Sequence, residues 1–341
     1  MFKQTHLQTK RKEPLFALTM GDPAGIGPEI ALKAMETPAF RESTLVVGDY
    51  GVMESIARSL NMTPPLHRVA AAGEFLPGKV NLLDSRLITP DSYTIGRIQA
   101  VCGRAAYGYI ETAIDLAMRG DFDGVITNPI NKESLHAAGI DYPGHTEIFA
   151  DKTGAANHSM LFLLRNVGVA HVTTHCSLRN AIEMISIDRV ITNIRLLNNT
   201  MRQLTIAAPR IAVGGLNPHA GENGLFGDEE INHIAPAIEI VRKEGINATG
   251  PYPPDTVFMR AFRGEFDGVV AMLHDHGFVA LKSMDFEHGV NITIGLPIIR
   301  TSVGHGTAFD IAGKGVASPE SLLAAFEAAQ RLYRNRDGAD K

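Results

Sequence analysis

Short apolar runs that end in a glycine or histidine turn and then give way to a helical pattern recur along this whole chain. That alternation constrains its fold more than any other feature. Residues 15–19 and 44–48 read as strands, each followed by a helix. A long helix is predicted over 96–119, with Val101, Ala105, Tyr109 and Ala113 at four-residue steps on one face. The last helix opens at Ser318-Pro319, a capping residue followed by proline, and Leu322, Phe326, Ala329 and Tyr333 line one of its sides. Strand–helix alternation of this kind folds as a largely parallel sheet with helices on both faces. At 341 residues the chain has the length of about two domains. No low-complexity linker separates two halves, so the domains are expected to share crossing strands. A short echo, 120–126 (GDFDGVI) against 264–270 (GEFDGVV), reads twice as a helix exit, a tight turn and the start of a buried strand.

Composition removes several classes of function. The chain is 45% hydrophobic and 20% charged, enough to bury a large core. Its net charge of -5 leaves no basic footprint for nucleic acid. No run approaches the roughly 18 apolar residues that would span a membrane. Residues 1–13 lack the apolar stretch of a secretion signal and read as a frayed tail. The two cysteines, Cys102 and Cys176, imply no disulfide framework and fit a reducing cytoplasm. Cys176 adjoins His175 and is read as a half-buried thiol in preference to a ligand or nucleophile.

Three histidines stand out against that background. His175 closes a strand-like run at 169–175, His219 follows the run at 211–215, and His274 closes the run at 268–274. In open α/β sheets, ligands bind outside the carboxyl ends of the strands. A lone histidine there is ordinarily a satisfied polar residue. Three of them, on segments about 40–55 residues apart and flanked by Asp, Asn and Gly, point to a three-nitrogen metal site with positions open to substrate.

Two glycine-rich segments point to an anion or a cofactor. In GDPAGIGPE, residues 21–29, Gly21, Gly25 and Gly27 lie between a strand and a helix, where backbone amides can approach an anion. This is neither a Rossmann fingerprint nor a phosphate-binding Walker loop. The second segment, residues 301–315 (TSVGHGTAFDIAGKG), contains His305, Gly306 and Asp310. Together the two resemble the cofactor loops of the isocitrate and isopropylmalate dehydrogenase superfamily, which binds a nicotinamide dinucleotide without a Rossmann fold. The motifs PGHTE (143–147), Thr174-His175, LNPHAGE (216–222), His274-Asp275 and VNITIGLP (290–297) follow in order. With them the chain resembles the 4-hydroxythreonine-4-phosphate dehydrogenase family from about Leu15 to Arg334.

The resemblance implies two α/β/α domains sharing crossing strands, with the active site in the cleft between them. Residues 1–127 with 286–341 would form a terminal domain carrying the cofactor loops, and 128–285 a central domain carrying the metal ligands and the dimer interface. It implies NAD or NADP at Gly21, Gly25, Gly27, His305, Gly306 and Asp310. One divalent metal per subunit (zinc, with magnesium or cobalt as alternatives) would be held by His175, His219 and His274. A small phosphorylated substrate would meet His145, Thr146, Lys282, Asn291 and Arg300. These are the residue types a phosphate wants: a bidentate arginine, a point-charge lysine and neutral donors. The family is a homodimer with shared active sites, so the groups His145 to His219 and His274 to Arg300 are expected to meet across the subunit boundary.

Two positions depart from the biosynthetic members of the family. His276 stands where they commonly carry glutamine, and Gly304 where they commonly carry aspartate. Loss of a carboxylate suits relatives acting on 4-phosphorylated threonate or erythronate, in which a neutral C2 hydroxyl replaces an ammonium. The implied reaction is oxidation of the C3 hydroxyl of a 4-phosphorylated four-carbon acid, followed by decarboxylation, with Asp275 or Lys132 as base. The rival from another class is a non-redox phosphate acyltransferase of related fold, and a third reading is a binding protein that keeps a dead site.

Overall fold

The computed structural model describes residues 13–284 and 289–336. One twelve-stranded sheet runs through it, in the order β3-β4-β2-β1-β5-β12-β11-β6-β7-β10-β8-β9. Its strands are β1 (Phe16–Thr19), β2 (Thr44–Gly48), β3 (Leu66–Val69), β4 (Val80–Asp84), β5 (Gly124–Thr127) and β6 (Ser159–Leu164). The rest are β7 (Val167–His171), β8 (Ile211–Gly214), β9 (Ala248–Tyr252), β10 (Gly268–Ala271), β11 (Val290–Ile294) and β12 (Ile299–Val303). The helices are α1 (Gly27–Ala34), α2 (Pro38–Ser43), α3 (Tyr50–Ser59), α4 (Ala100–Met118), α5 (Lys132–Ala137) and α6 (His145–Thr153). They continue with α7 (Leu178–Glu183), α8 (Ile187–Gln203), α9 (Ala235–Lys243), α10 (Val257–Phe262), α11 (His274–Met284) and α12 (Glu320–Arg334).

Most strands are short, apolar and buried on both faces, as a parallel sheet covered by helices requires. The exception is the middle. β11 pairs antiparallel with both β12 and β6, and β6 pairs antiparallel with β7. These three reversals set the parallel run around β1, β5 and β12 against the parallel run β7, β10 and β8. The strand ends carrying the glycine loop and those carrying the histidines therefore point to opposite edges of the sheet. The functional residues come together over the central strands.

The long helix is as its pattern predicted: Ala105, Tyr109 and Ala113 are buried and Val101 partly so. Its first turn begins at Ala100, four residues later than expected. In α12, Leu322, Phe326 and Ala329 are buried, and the Ser318 hydroxyl accepts from the Glu320 amide. The sequence echo is a repeated local device. Gly120 and Gly264 both turn with positive φ (82° and 88°) out of a helix. Asp123 then accepts the Leu15 amide before β1, and Asp267 accepts the Arg210 amide before β8, so each turn clamps a neighbouring strand. Two strand ends differ from expectation: β7 stops at His171, leaving His175 in a loop, and His274 opens α11 instead of closing β10.

Candidate active site

A cavity of about 230 Å³ opens where the strand direction reverses. Lys132, His145, Thr146, His175 and His274 line it together with Asn291, Arg300, His305 and Gly306. These side chains arrive from the starts of α5, α6 and α11, from the loop after β7, and from β11, β12 and the turn beyond. Residues expected from both sides of a subunit boundary thus share one cavity within one chain. This corrects the expected grouping, since His145 and His175 already face His274, Asn291 and Arg300.

Arg300 is the anchor of this cavity. A single arginine is ordinarily a surface group, yet this one is 1% exposed. Its two terminal nitrogens donate to Thr293 Oγ1 at 3.0 Å and Thr127 Oγ1 at 2.7 Å, and the guanidinium lies 5.5 Å over the Phe149 ring. Burial works against its charge and the Glu147 carboxylate supports it; a guanidinium in a protein nonetheless keeps its proton. Burial and the Arg300 charge together hold the His145 imidazole neutral, well below its ordinary pKa. Thr146 is buried, with its hydroxyl 3.4 Å from that of Thr293. Among the described residues, Arg300 Nε, His145 Nε2 and Asn291 Oδ1 are buried polar atoms that make no hydrogen bond. Such orphans are rare in folded proteins; Arg300 Nε is a donor open to an anionic ligand, His145 Nε2 is a second when it carries the ring proton, and Asn291 Oδ1 is an acceptor open to a donor of the same ligand.

Two histidines that line the same cavity are held in the same manner. His175 Nδ1 lies 3.4 Å from Glu147 Oε1, and His274 Nδ1 lies 2.7 Å from Asp275 Oδ1. Each carboxylate fixes a ring through one nitrogen and leaves Nε2 free, the arrangement that metal-ligating histidines ordinarily have. The two ring centroids are 5.8 Å apart. Burial alone would raise Glu147, but its bond to His175, with the His175 and Lys132 charges, brings it below its ordinary value. Asp275 is likewise lowered, chiefly by its hydrogen bond to His274. Nothing in the sequence patterns assigns Glu147 a role; its place in the first turn of a helix that opens at His145 is the available signal.

His274 also stacks on Phe278, 4.4 Å between centroids, and Phe278 stacks on His171 at 4.9 Å. Burial pushes His171 down to about 3, so the ring beneath the stack is neutral. Spacing alone did not single out His171 or Phe278.

Several expected residues sit elsewhere. His219 lies on an arm, residues 216–227, with its side chain 67% exposed. Its backbone and those of Ala220, Gly221, Glu222 and Asn223 are all left-handed, with φ between 45° and 79°. For the four non-glycine residues that conformation costs about 1–2 kcal/mol each. His219 does not line the cavity but a separate groove, although β8 neighbours β10 in the sheet. Among the described residues no cluster of three His, Cys, Asp or Glu could hold a metal; one chain brings together two of the three proposed ligands. Asp275, one of the two candidate bases, is 78% exposed and lines a separate groove with His219 and His276. Lys282 is exposed two turns along α11, over the Phe278 ring at 5.4 Å, and does not line the cavity. Cys176 is exposed, not half-buried, in a cleft that His175 also lines.

The two glycine-rich segments meet as one unit. The Ile26 amide donates to the Thr307 carbonyl at 3.0 Å, and the Asp22 amide to the Pro129 carbonyl at 2.9 Å. Buried Glu29 accepts the Ala317 amide at 2.8 Å and the Lys33 ammonium, which also reaches the Gly315 and Ala317 carbonyls. His305 and Gly306 border the cavity, and Asp310 is exposed on the loop beyond. A third segment, not foreseen, is wedged between them: the Gly96 amide donates to the Ala24 carbonyl at 2.8 Å.

A buried anion pocket facing a carboxylate-held histidine pair, on a mixed sheet with glycine loops at its rim, defines a class of α/β protein acting on a small anionic ligand. The family described as "Pyridoxal phosphate biosynthetic protein PdxA" matches residues 41–329, and the chain belongs to it. It is 51% identical to the 4-hydroxythreonine-4-phosphate dehydrogenase of Beijerinckia indica, over 93% of this chain and 94% of that protein. It is 45% identical to the D-threonate 4-phosphate dehydrogenase of Salmonella typhimurium, over 93% of this chain and 98% of the other. The crystal structure of a 4-hydroxythreonine-4-phosphate dehydrogenase from Klebsiella pneumoniae superposes with a TM-score of 0.85 at 42% identity, covering 95% of this chain and 99% of that one. A branched-chain phosphotransacylase from Enterococcus faecalis shares the fold alone, with a TM-score of 0.54 at 11% identity.

Proposed function

We propose that this protein oxidises the C3 hydroxyl of a 4-phosphorylated four-carbon acid with a nicotinamide dinucleotide and a divalent metal, and that the product then loses CO2. The observation that carries the reading is the cavity itself: Arg300 Nε, His145 Nε2 and Asn291 Oδ1 make no hydrogen bond among the described residues, and His175 and His274 line the same space. When bound, the metal supplies Lewis-acid polarisation of the C3 oxygen and the nicotinamide supplies a hydride acceptor. The chain does the remaining work. Arg300, His145, Asn291 and Thr146 hold the phosphate, and this remote dianion orients the reacting carbon. His175 and His274 present Nε2 because Glu147 and Asp275 occupy Nδ1. With Asp275 turned to His274, Lys132 in the cavity wall is the group placed to move the hydroxyl proton. The dinucleotide would lie along the joined loops that carry Gly21, Gly25, Gly27 and Asp310, which reach the cavity at His305 and Gly306.

The lining favours a C2 hydroxyl over a C2 ammonium. No Asp or Glu lines the cavity among the described residues, and the two nearby carboxylates are committed to histidines. A Cβ at Gly304 would lie 2.7 Å from the Gly289 carbonyl oxygen and 3.2 Å from the Phe162 ring, so aspartate is not accommodated there. A buried ammonium without a partner is costly, and a 4-phosphorylated hydroxy acid such as threonate or erythronate avoids it.

His219 supports a homodimer with shared sites, since its exposed arm would bring the third ligand to the partner's cavity. The apolar groove beside it, with Met259, Val279 and Met284 exposed, suits such an interface. The test is reduction of NAD and NADP, with and without zinc, across 4-phosphohydroxythreonine, 4-phosphothreonate and 4-phosphoerythronate. Absence of reduced nicotinamide with all three would overturn the reading and favour the non-redox acyltransferase, whose chemistry gives the paired histidines no role.

A further inference from the structure

We propose that Glu230 is a positioning residue that presets the His219 arm within the single subunit; this rests on the reading of His219 as a metal ligand. Glu230 is 3% exposed and opens a single π-helical turn, Glu230–Ile234, just before α9. Such turns are rare and are frequently found at functional sites. Its carboxylate gathers the base of the arm. Oε1 accepts the Leu216 amide at 2.7 Å and the Asn217 amide at 2.8 Å, while Oε2 accepts the Asn217 side-chain amide at 2.9 Å. Glu229 takes the same Asn217 nitrogen at 2.6 Å, so both arms of that side chain's environment are acidic and fixed.

The arm wraps this one carboxylate from both sides. A Cβ at Gly215 would lie 2.9 Å from Oε1, and a Cβ at Gly221 would lie 2.8 Å from Oε2. At Gly215 the Cβ would also meet the Ala220 Cα at 2.8 Å, and Gly221 turns with a φ of 79°, so a side chain at either position would be strained. Residues 215–221 therefore curl around Glu230 with His219 at the outside of the bend, two residues from Asn217 and two from Gly221. Glu230 does not contact the imidazole; it sets the backbone that aims it. Three donors on a buried carboxylate are charge-assisted and strong, and they hold a left-handed stretch that non-glycine residues resist. The device is complete in one chain, so the arm needs neither metal nor partner to take its shape. A preorganised ligand binds without an ordering cost at the moment of binding.

The experiment compares wild type, Glu230→Gln and His219→Ala as metal-stripped, full-length proteins. Calorimetric titration with Zn2+ and hydrogen exchange of the Leu216 and Asn217 amides are the readouts, alongside the thermal midpoint. In Glu230→Gln one acceptor becomes a donor facing the arm's N–H groups. Zn2+ affinity is expected to fall about 10–100-fold, the usual effect of losing an outer partner of a metal ligand. The arm amides should exchange faster before any metal is added. Excess Zn2+ should restore turnover in Glu230→Gln, where the ligand survives, and not in His219→Ala. Wild-type Zn2+ affinity or unchanged arm exchange in Glu230→Gln, with His219→Ala weakened, overturns the positioning role alone. Wild-type affinity in His219→Ala overturns the ligand reading and this inference with it. Should Glu230→Gln fail to fold, Asn217→Ala removes one of the three links; weaker Zn2+ binding is expected there, and unchanged binding overturns the inference.

Discussion

Replacing Asp22 by Asn should stabilise this protein at neutral pH and do nothing for it in acid. Asp22 is fully buried in the loop between β1 and α1; its Oδ1 accepts the Ala24 amide at 2.9 Å, and its Oδ2 makes no hydrogen bond among the described residues. Burial raises its pKa from 3.8 to about 6, against the opposing pull of the Ala24 amide. A carboxyl whose folded pKa exceeds its unfolded value binds its proton more tightly when folded. Its contribution is therefore most favourable below about pH 4, declines as pH rises towards 6, and is a constant penalty above that. The gap of about 2.2 in pKa corresponds to roughly 3 kcal/mol at 1.36 kcal/mol each. Asparagine keeps the acceptor for Ala24 and cannot ionise. With an unfolding entropy of about 2.1 cal/mol/K per residue, a chain of 341 residues converts that energy into a Tm rise of about 4 °C. The assay is thermal unfolding of both proteins from pH 4 to pH 8. The Tm difference should be near zero at pH 4 and grow to its full value by pH 7. A difference independent of pH, or a less stable variant at pH 8, would refute the reasoning. A stabilised variant that also shows a higher KM for the dinucleotide would mark Asp22 as a carboxylate kept for function at the expense of stability.

Three further outcomes are expected. Co-expressed His219→Ala and Arg300→Ala chains, each inactive alone, should regain about a quarter of wild-type activity, since half of randomly assembled dimers are mixed and each has one intact site. No recovery despite verified subunit exchange would mean that each chain builds its own site. Arg300→Ala should lower kcat/KM for the phosphorylated substrate by about 10²–10³-fold, the size of a lost buried charge contact, and barely change the rate with the dephosphorylated acid. Equal losses on both substrates would place the phosphate elsewhere. Gly304→Asp should cost roughly 1–3 kcal/mol of stability by overpacking, read as a lower Tm, because the atom it meets at 2.7 Å is backbone that cannot swing aside; an unchanged Tm would remove the steric part of the substrate argument.

The long helix, the last helix and the parallel strands around them were legible because hydrophobic period is a local property. Tyr109 is buried where a four-residue step puts it, and α12 starts at Glu320, just past the Ser318-Pro319 pair, with Pro319 and not the serine at its N-cap. Strand direction is not local. Nothing in residues 290–303 announces that β11 runs against both of its neighbours, yet those reversals carry Arg300 into the interior beside His145. The same limit governs the site. Spacing identifies which strand a histidine follows, and β7, β10 and β8 do lie side by side. It does not give the path of the chain after the strand ends. His175 and His274 are turned inward by carboxylates close in sequence or on a packed helix, whereas the arm after β8 is bent outward around Glu230, 11 residues beyond the histidine it aims. The arm carries His219 outside this chain's own cavity. A buried carboxylate, two closely packed glycines and four left-handed side-chain-bearing residues hold His219 exposed, and such an expense in strain and burial is hard to account for unless something outside this chain's own cavity receives that imidazole.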